Sequence, residues 1–473
     1  MERVPIKSIH LFAAVILVII LKLPAEPNAE GDGIMVNPHE GIILLGNASR
    51  PSLPDGVSGE GTEESPYLIS YHWFNTTGGP GVSIINSKFH VVIRHCLFTS
   101  KFPPSNAAII ISNSSNVVVE GCRSYYATVG VDVRDSSLIE IRQSAWLGSF
   151  DGIYVRGHNV TINDCLLSHI RDSGIHINRS RDITMTNVAS EHNNAILGYS
   201  SGIRIEDSRR STIVNTSCTL NYGSGIIISS PSGNESSGNR IMGSSFIDNN
   251  QGLVMEGCVS STITDCSFRH NTNGIYISGA KDIGIEASSF FKNTYGVFLS
   301  GTLHSSVTRS VFESNEYGIY LDSSDHNELT GNAIFNCSRI SLTLDSFLDR
   351  GPPSSNNTVF QNTFTGETMF SAHALDNGED NRWDNGKEGN RWPSHDGPDI
   401  DGDGIVDEDY TISGKAGAVD HFPIAPAKLP VEDDEAEDGS SRGVGFWILT
   451  VIAAGVASLF TLGALIGKRG NEH

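Results

Sequence analysis

Between its two ends the sequence has no run of apolar residues at helical spacing long enough for an amphipathic helix, which argues against a helical bundle or an α/β fold. The leucine framework of a leucine-rich repeat is also missing. Basic residues are scarce, 32 Lys and Arg against 54 Asp and Glu, and the net charge is −22. Phosphate binding wants a basic face, so nucleic acid is not an expected partner; cations or a solvated acidic surface suit the charge better. Cysteine is sparse too. Seven residues are an odd number and too few for a disulfide scaffold.

What the chain has is a period. From Ser261 to Asn336 the same residue types recur every 22 positions. Gly274, Gly296 and Gly318 form one column, Phe268, Phe290 and Phe312 a second, and Asn271, Asn293 and Asn315 a third. Ile263, Ile285, Val307 and Leu329 form a fourth. A fixed period in this range marks a solenoid, whose repeats bury their apolar faces by stacking. Apolar residues alternate over short runs such as Ile275–Tyr276–Ile277, which is strand periodicity. The fold class is therefore all-β, a parallel β-helix of about 22 residues per coil. The Gly and Asn columns are expected at backbone positions needing positive φ.

The glycine column runs from Gly81 through Ala108, Gly130, Gly152, Gly174, Gly202, Gly225 and Gly252 to Gly318. Its long steps place loops near residues 102–106, 192–200 and 231–238, and insertions of this kind build binding faces. Most cysteines (Cys96, Cys122, Cys165, Cys266) sit at one repeat position and read as core filler. Cys96 and Cys122 fall in one column on adjacent coils, within reach of a disulfide.

The segments follow. Residues 1–29 have the plan of a secretory leader, with Arg3 and Lys7 before an apolar run and Ala25 and Ala29 after it. Residues 30–80 form an N-terminal cap, 81–364 the coils, 365–424 a C-terminal cap and 425–443 an acidic linker. Residues 444–466 are uncharged and long enough to span a bilayer, and Lys468 and Arg469 follow, so 467–473 is expected in the cytoplasm. The expected protein is thus a single-pass cell-membrane protein with most of its chain outside. Sequons at Asn47, Asn75, Asn113, Asn159, Asn178, Asn215, Asn234, Asn336 and Asn356 are compatible with that location.

Two constellations carry chemistry. In the strand that follows the column glycine, alternate residues face outward. Asp132, Arg134, Tyr154, Arg156, His176, Asn178, Arg204 and Glu206 then cluster on four neighbouring coils, and Tyr276, Phe298 and Tyr320 continue the stripe. Carboxylates serve as acid or base, Arg pairs with uronate or sulfate, and aromatics stack on pyranose rings, so a sugar chain is the expected partner. The competing reading is a set of ordinary cross-strand pairs on a solvated face. The second constellation is DIDGDGIVD at 399–407. Asp399, Asp401 and Asp403, the Ile405 carbonyl, and Asp407 or Glu408 as closing carboxylate match a truncated DxDxDG calcium loop. Tyr410 stands where an EF-hand has its closing Glu, so Ca2+ is expected to rigidify the cap.

The 22-residue rows resemble the right-handed β-helix repeats of the NosD-like and carbohydrate-binding/sugar-hydrolase group, over roughly residues 56–423. GEGTEESPYLI at 59–69 is similar to the N-terminal signature of archaeal surface members. NRWD at 381–384, GNRW at 389–392, the 401–407 loop and 410–423 resemble their C-terminal signature. For the NosD type the resemblance implies copper delivery to nitrous oxide reductase, but copper sites want clustered Met, Cys and His, and the six Met here are scattered. Lyases and hydrolases of similar fold use acidic residues with Arg or Lys on the outer face, and the DPH motif of β-helix uronate epimerases is absent. The reading is a polysaccharide-binding surface protein. A polysaccharide lyase or hydrolase, and a structural or adhesive stalk with a surface-protein partner, stay open beside it.

Overall fold

The computed structural model describes residues 41–46, 53–193, 200–233, 235–346, 351–366, 373–393 and 395–425. They form a parallel β-solenoid in which each coil carries three short strands. The coil built from Asn273–Ser278, Gly284–Glu286 and Ser289–Phe291 is typical. The third strands stack into a 13-stranded sheet. The first and second strands share a 26-stranded sheet, because Val129–Arg142 and Asp151–Asn163 run round the corner without a break.

The predicted columns are the observed register. Ile275 pairs with Val297 and Ile319 in turn, Ile263 with Ile285, and Phe268 with Phe290 and Phe312. These apolar residues are fully buried inside the coils. Phe246, Phe268, Phe290 and Phe312 stack with centroids 4.5–5.0 Å apart and planes within 7°. Such spacing follows directly from the inter-strand distance.

The glycine and asparagine columns have a different cause from the one expected. The column glycines do not have positive φ. A Cβ on Gly274 would lie 2.5 Å from the Gly296 carbonyl oxygen and 2.9 Å from the Phe290 ring, so close packing excludes a side chain there. The positive φ belongs to the residue before each asparagine, His270, Lys292 and Ser314. The asparagines form an internal ladder. Asn271 Nδ2 donates to Asn293 Oδ1 at 3.1 Å, and Asn293 Nδ2 to Asn315 Oδ1 at 3.0 Å. Each also donates to a backbone carbonyl, as Asn293 does to Phe268 O.

Coil pairing begins before residue 81. Ile42–Leu45 pairs with Val82–Ile85, Tyr67–Ser70 with Val91–Arg94, and Trp73–Asn75 with Leu97–Thr99. At the other end Trp392 stacks on Phe364 at 4.6 Å and Tyr410 on Trp392 at 4.1 Å, extending the aromatic column into the cap. Buried Asp420 accepts from Trp392 Nε1 at 2.9 Å and Asn390 N at 2.7 Å, closing the last coil. Among the described residues no helix is long and apolar enough to cross a membrane. The expected leader at 1–29 and span at 444–466 lie outside the described residues, as does the acidic linker beyond Ala425.

Candidate functional site

The first strand of each coil presents its outward residues in register. Asp132 pairs with Tyr154, Tyr154 with His176, and His176 with Arg204; Arg134 pairs with Arg156, and Asn178 with Glu206. The structure thus brings all eight outward residues onto one face, and it also ties most of them to one another. Arg134 Nε and Nη2 donate to Asp132 Oδ1 and Oδ2, both at 2.8 Å, and Asp132 is only 5% exposed. Arg156 is bidentate to Asp135, Nε donating to Oδ1 at 3.1 Å and Nη2 to Oδ2 at 2.6 Å. Glu206 Oε2 meets His176 Nε2 at 3.1 Å and accepts from Asn178 Nδ2 at 3.3 Å. Arg204 Nε lies 3.1 Å from Glu206 Oε1, an ion pair at an angle that makes no hydrogen bond. Tyr154 joins the two clusters, with the Arg134 guanidinium 5.8 Å from its ring centre and the His176 ring edge-on at 5.2 Å.

The His176 hydrogen bond holds the Glu206 carboxyl below its ordinary range, ahead of the Arg204 charge and against partial burial. One residue that sequence reasoning passed over belongs here. Asp151 lies within the field of His176, Asp172 and Arg204, its Oδ1 accepts from Ser173 N at 3.3 Å, and burial pushes its carboxyl up to about 6. Its signal in the sequence is a charge at a corner position where neighbouring coils carry Val129, Ser173 and Ser201.

Past Arg204 and Glu206 the face opens into a cleft of about 580 Å³ lined by Ile227, Ser229, Pro231, Val254 and Glu256 among others. Pro231 belongs to one of the long steps seen in the sequence. The later aromatics do not continue the stripe as open rings. Phe298 and Tyr320 are 9% and 8% exposed and stack on each other at 5.0 Å, with Tyr295 edge-on to both. Tyr295 and Tyr317, three positions earlier in the coil, stack beside them at 4.8 Å and bury their faces.

In the cap, ligand oxygens of Asp399, Asp401 and Asp403 lie within 4.8 Å of one another. Asp399 Oδ1 is buried and accepts no hydrogen bond, whereas Asp403 Oδ1 accepts from Ile405 N and Asp407 Oδ2 from Ile400 N. The backbone places Ile405 against Ile424, and the Glu408 carbonyl accepts from His395 Nε2. An orphaned carboxylate oxygen among all-oxygen donors fits a hard cation.

All seven cysteines are buried free thiols. Cys96 and Cys122 lie side by side on adjacent coils, where a hydrogen bond with Cys122 holds the Cys96 thiol below its ordinary value. Burial pushes Cys165, Cys258, Cys266 and Cys337 up to about 12, as suits core filler.

Two family models match the chain: "Right handed beta helix region" over residues 129–282 and "Periplasmic copper-binding protein (NosD)" over residues 233–397. A search of the curated proteins finds no match. Similar solved structures include bacteriophage phi29 pre-mature gene product 12, at 13% identity and TM-score 0.58, over 78% of this chain and 57% of that one. The Azotobacter vinelandii mannuronan C-5 epimerase AlgE6 A-module aligns at 18% identity and TM-score 0.41, over 63% of this chain and 89% of its own. The periplasmic alginate epimerase AlgG aligns at 11% identity and TM-score 0.41, over 63% and 85%. At these identities the likeness concerns the fold. Among the described residues the one cluster of three converging His, Cys, Asp or Glu ligands is all carboxylate, a donor set that suits a hard cation better than copper.

Proposed function

Since the chain is a NosD-like right-handed β-helix repeat protein, we propose that it binds polysaccharide along the outward side of its first strands, from Asp132 to the cleft beside Glu206. The observation that carries this reading is the register itself. Six successive coils from Asp132 to Val254 present one continuous strip, about 24 Å long at ~4.8 Å per coil. Its charged groups are fixed by bidentate and shared ion pairs, so they need little ordering when a ligand arrives. A strip of this shape suits a linear polymer better than a small molecule, and polar groups with an interleaved tyrosine suit sugar hydroxyls and ring faces.

In the same reading Asp399, Asp401, Asp403, the Ile405 carbonyl and Asp407 or Glu408 would hold Ca2+, which would brace the cap. The chain is exported and tethered to the cell membrane through residues 444–466, with the binding strip outside. Asp151 favours a second reading, cleavage of the bound polymer. A carboxyl lifted to about 6 within the field of His176 is poised to exchange protons near neutral pH.

The test is retention of the full chain, in detergent, on a panel of immobilised polysaccharides with and without a calcium chelator. Binding to at least one polymer is expected, with loss of about tenfold in Glu206→Gln, which breaks the His176 and Arg204 contacts. The chelator is expected to lower Tm. No retention on any polymer defeats the binding reading, and an unchanged Tm defeats the calcium site. New reducing ends or unsaturated products establish the second reading.

A further inference from the structure

We infer that Phe102, Arg171 and Phe150 form a subsite for an anionic sugar residue at the edge of the binding strip. The inference rests on the polysaccharide reading and names the class of sugar. The inserted loop at 100–106 is pinned to the solenoid. Lys101 N donates to Thr77 Oγ1 at 3.2 Å, Asn106 Nδ2 to Thr76 O at 3.0 Å, and Thr128 N to Asn106 O at 2.9 Å. From that anchorage the loop arches along the corner and sets the Phe102 ring 4.3 Å from the Arg171 guanidinium, three coils further on. Phe150 approaches the same guanidinium at 5.7 Å. Both rings face water, Phe102 at 62% and Phe150 at 40% exposure.

Arg171 differs from the other arginines of this face. Arg134, Arg156 and Arg204 are each committed to a carboxylate, Asp132, Asp135 and Glu206 respectively. Among the described residues no carboxylate lies within 4.0 Å of Arg171, although Asp172 is its neighbour in sequence and the chain is strongly acidic. Its planar head is held by aromatic faces, which leaves the N–H edge open to a bidentate acceptor. Exposed phenyl rings beside that edge offer apolar contact to a pyranose. The platform also stands where the first strands begin, at Asp151 and Ser173. Tyr154 follows Phe150 by four residues and His176 follows Arg171 by five, roughly 13–17 Å along the chain at about 3.3 Å per residue. The platform therefore flanks the strip, and a polymer that crosses the strip along the strand direction, or a side branch of one lying on it, reaches Arg171.

The experiment measures binding of the full chain to four soluble probes: polygalacturonate, the same polymer with its carboxyls reduced, dextran sulfate and dextran. Wild type is expected to prefer an anionic probe over its neutral counterpart by about tenfold or more at low salt, and the two anionic arms separate carboxylate from sulfate. Arg171→Gln is expected to erase that preference while leaving weak binding to the neutral probes and the Tm unchanged. Arg171→Lys, which keeps the charge but loses the fork, is expected to fall between, and it is the informative variant should Arg171→Gln not fold. Equal binding of anionic and neutral polymers by wild type, or an undiminished preference in Arg171→Gln, overturns the subsite and leaves the binding strip standing. Failure to bind any of the four or any polymer of the wider panel removes the strip as well.

Discussion

Asp151 and Glu206 show how one face sets two carboxyls against each other. Glu206 is held down by His176, so its contribution to stability is present above its ordinary 4.5 and is lost as pH falls. Asp151 runs the other way. Its folded carboxyl keeps its proton up to about 6, while in the unfolded chain it releases it near 3.8. Between those values the folded state binds more protons, so stability declines as pH rises through the window, by about 1.4 kcal/mol per unit of separation. Asp151→Asn is therefore expected to raise Tm at pH 7 and to leave it nearly unchanged at pH 3.5. A thermal melt at both values checks this, and an equal shift at the two would contradict it. The outward position of Asp132, Tyr154, His176 and Arg204 was legible from alternation alone. The bidentate locking of Asp132 by Arg134 and the partial burial of Asp151 were not, because rotamers and desolvation depend on what the adjacent coil supplies.

At the scale of a coil, the ladders do the work that a globular core does elsewhere. Asn293 accepts from Asn271 N at 2.9 Å and Asn271 Nδ2 at 3.1 Å, and it donates to Phe268 O at 3.1 Å, all away from water. Asn293→Ala strands those partners and is expected to cost about 2–4 kcal/mol in denaturant unfolding. Asn250→Ala on the exposed corner should stay within about 0.5 kcal/mol. Equal losses at the two positions would show that the ladder carries no special weight. The columns themselves were plain in the sequence. Their cause was misread, since the glycines are excluded from bearing a Cβ by the next coil's carbonyl and ring, a contact that exists only after stacking.

At the largest scale the described coils form a one-dimensional array in which each touches mainly its two neighbours. Removing residues 273–294, one full period, joins Thr272 to Tyr295 and brings Phe268 onto Phe312 and Asn271 onto Asn315. The shortened chain is expected to fold, with the same far-ultraviolet strand signal and a Tm lower by a few degrees. Removing eleven residues from the same place should abolish folding, because it puts apolar columns on polar ones. A shortened full-period variant that fails to fold would mean that distant coils are coupled.

The sequence by itself determined the all-β solenoid, its register, the outward stripe and the converging aspartates of the cap, because a repeat writes every inter-coil contact as a fixed sequence separation. Tertiary structure alone decided what breaks that rule. The 100–106 loop reaches Arg171 across three coils, the late aromatics close on one another, and Asp151 is half-buried at a corner. Each depends on packing between residues at irregular separation, which no column can record.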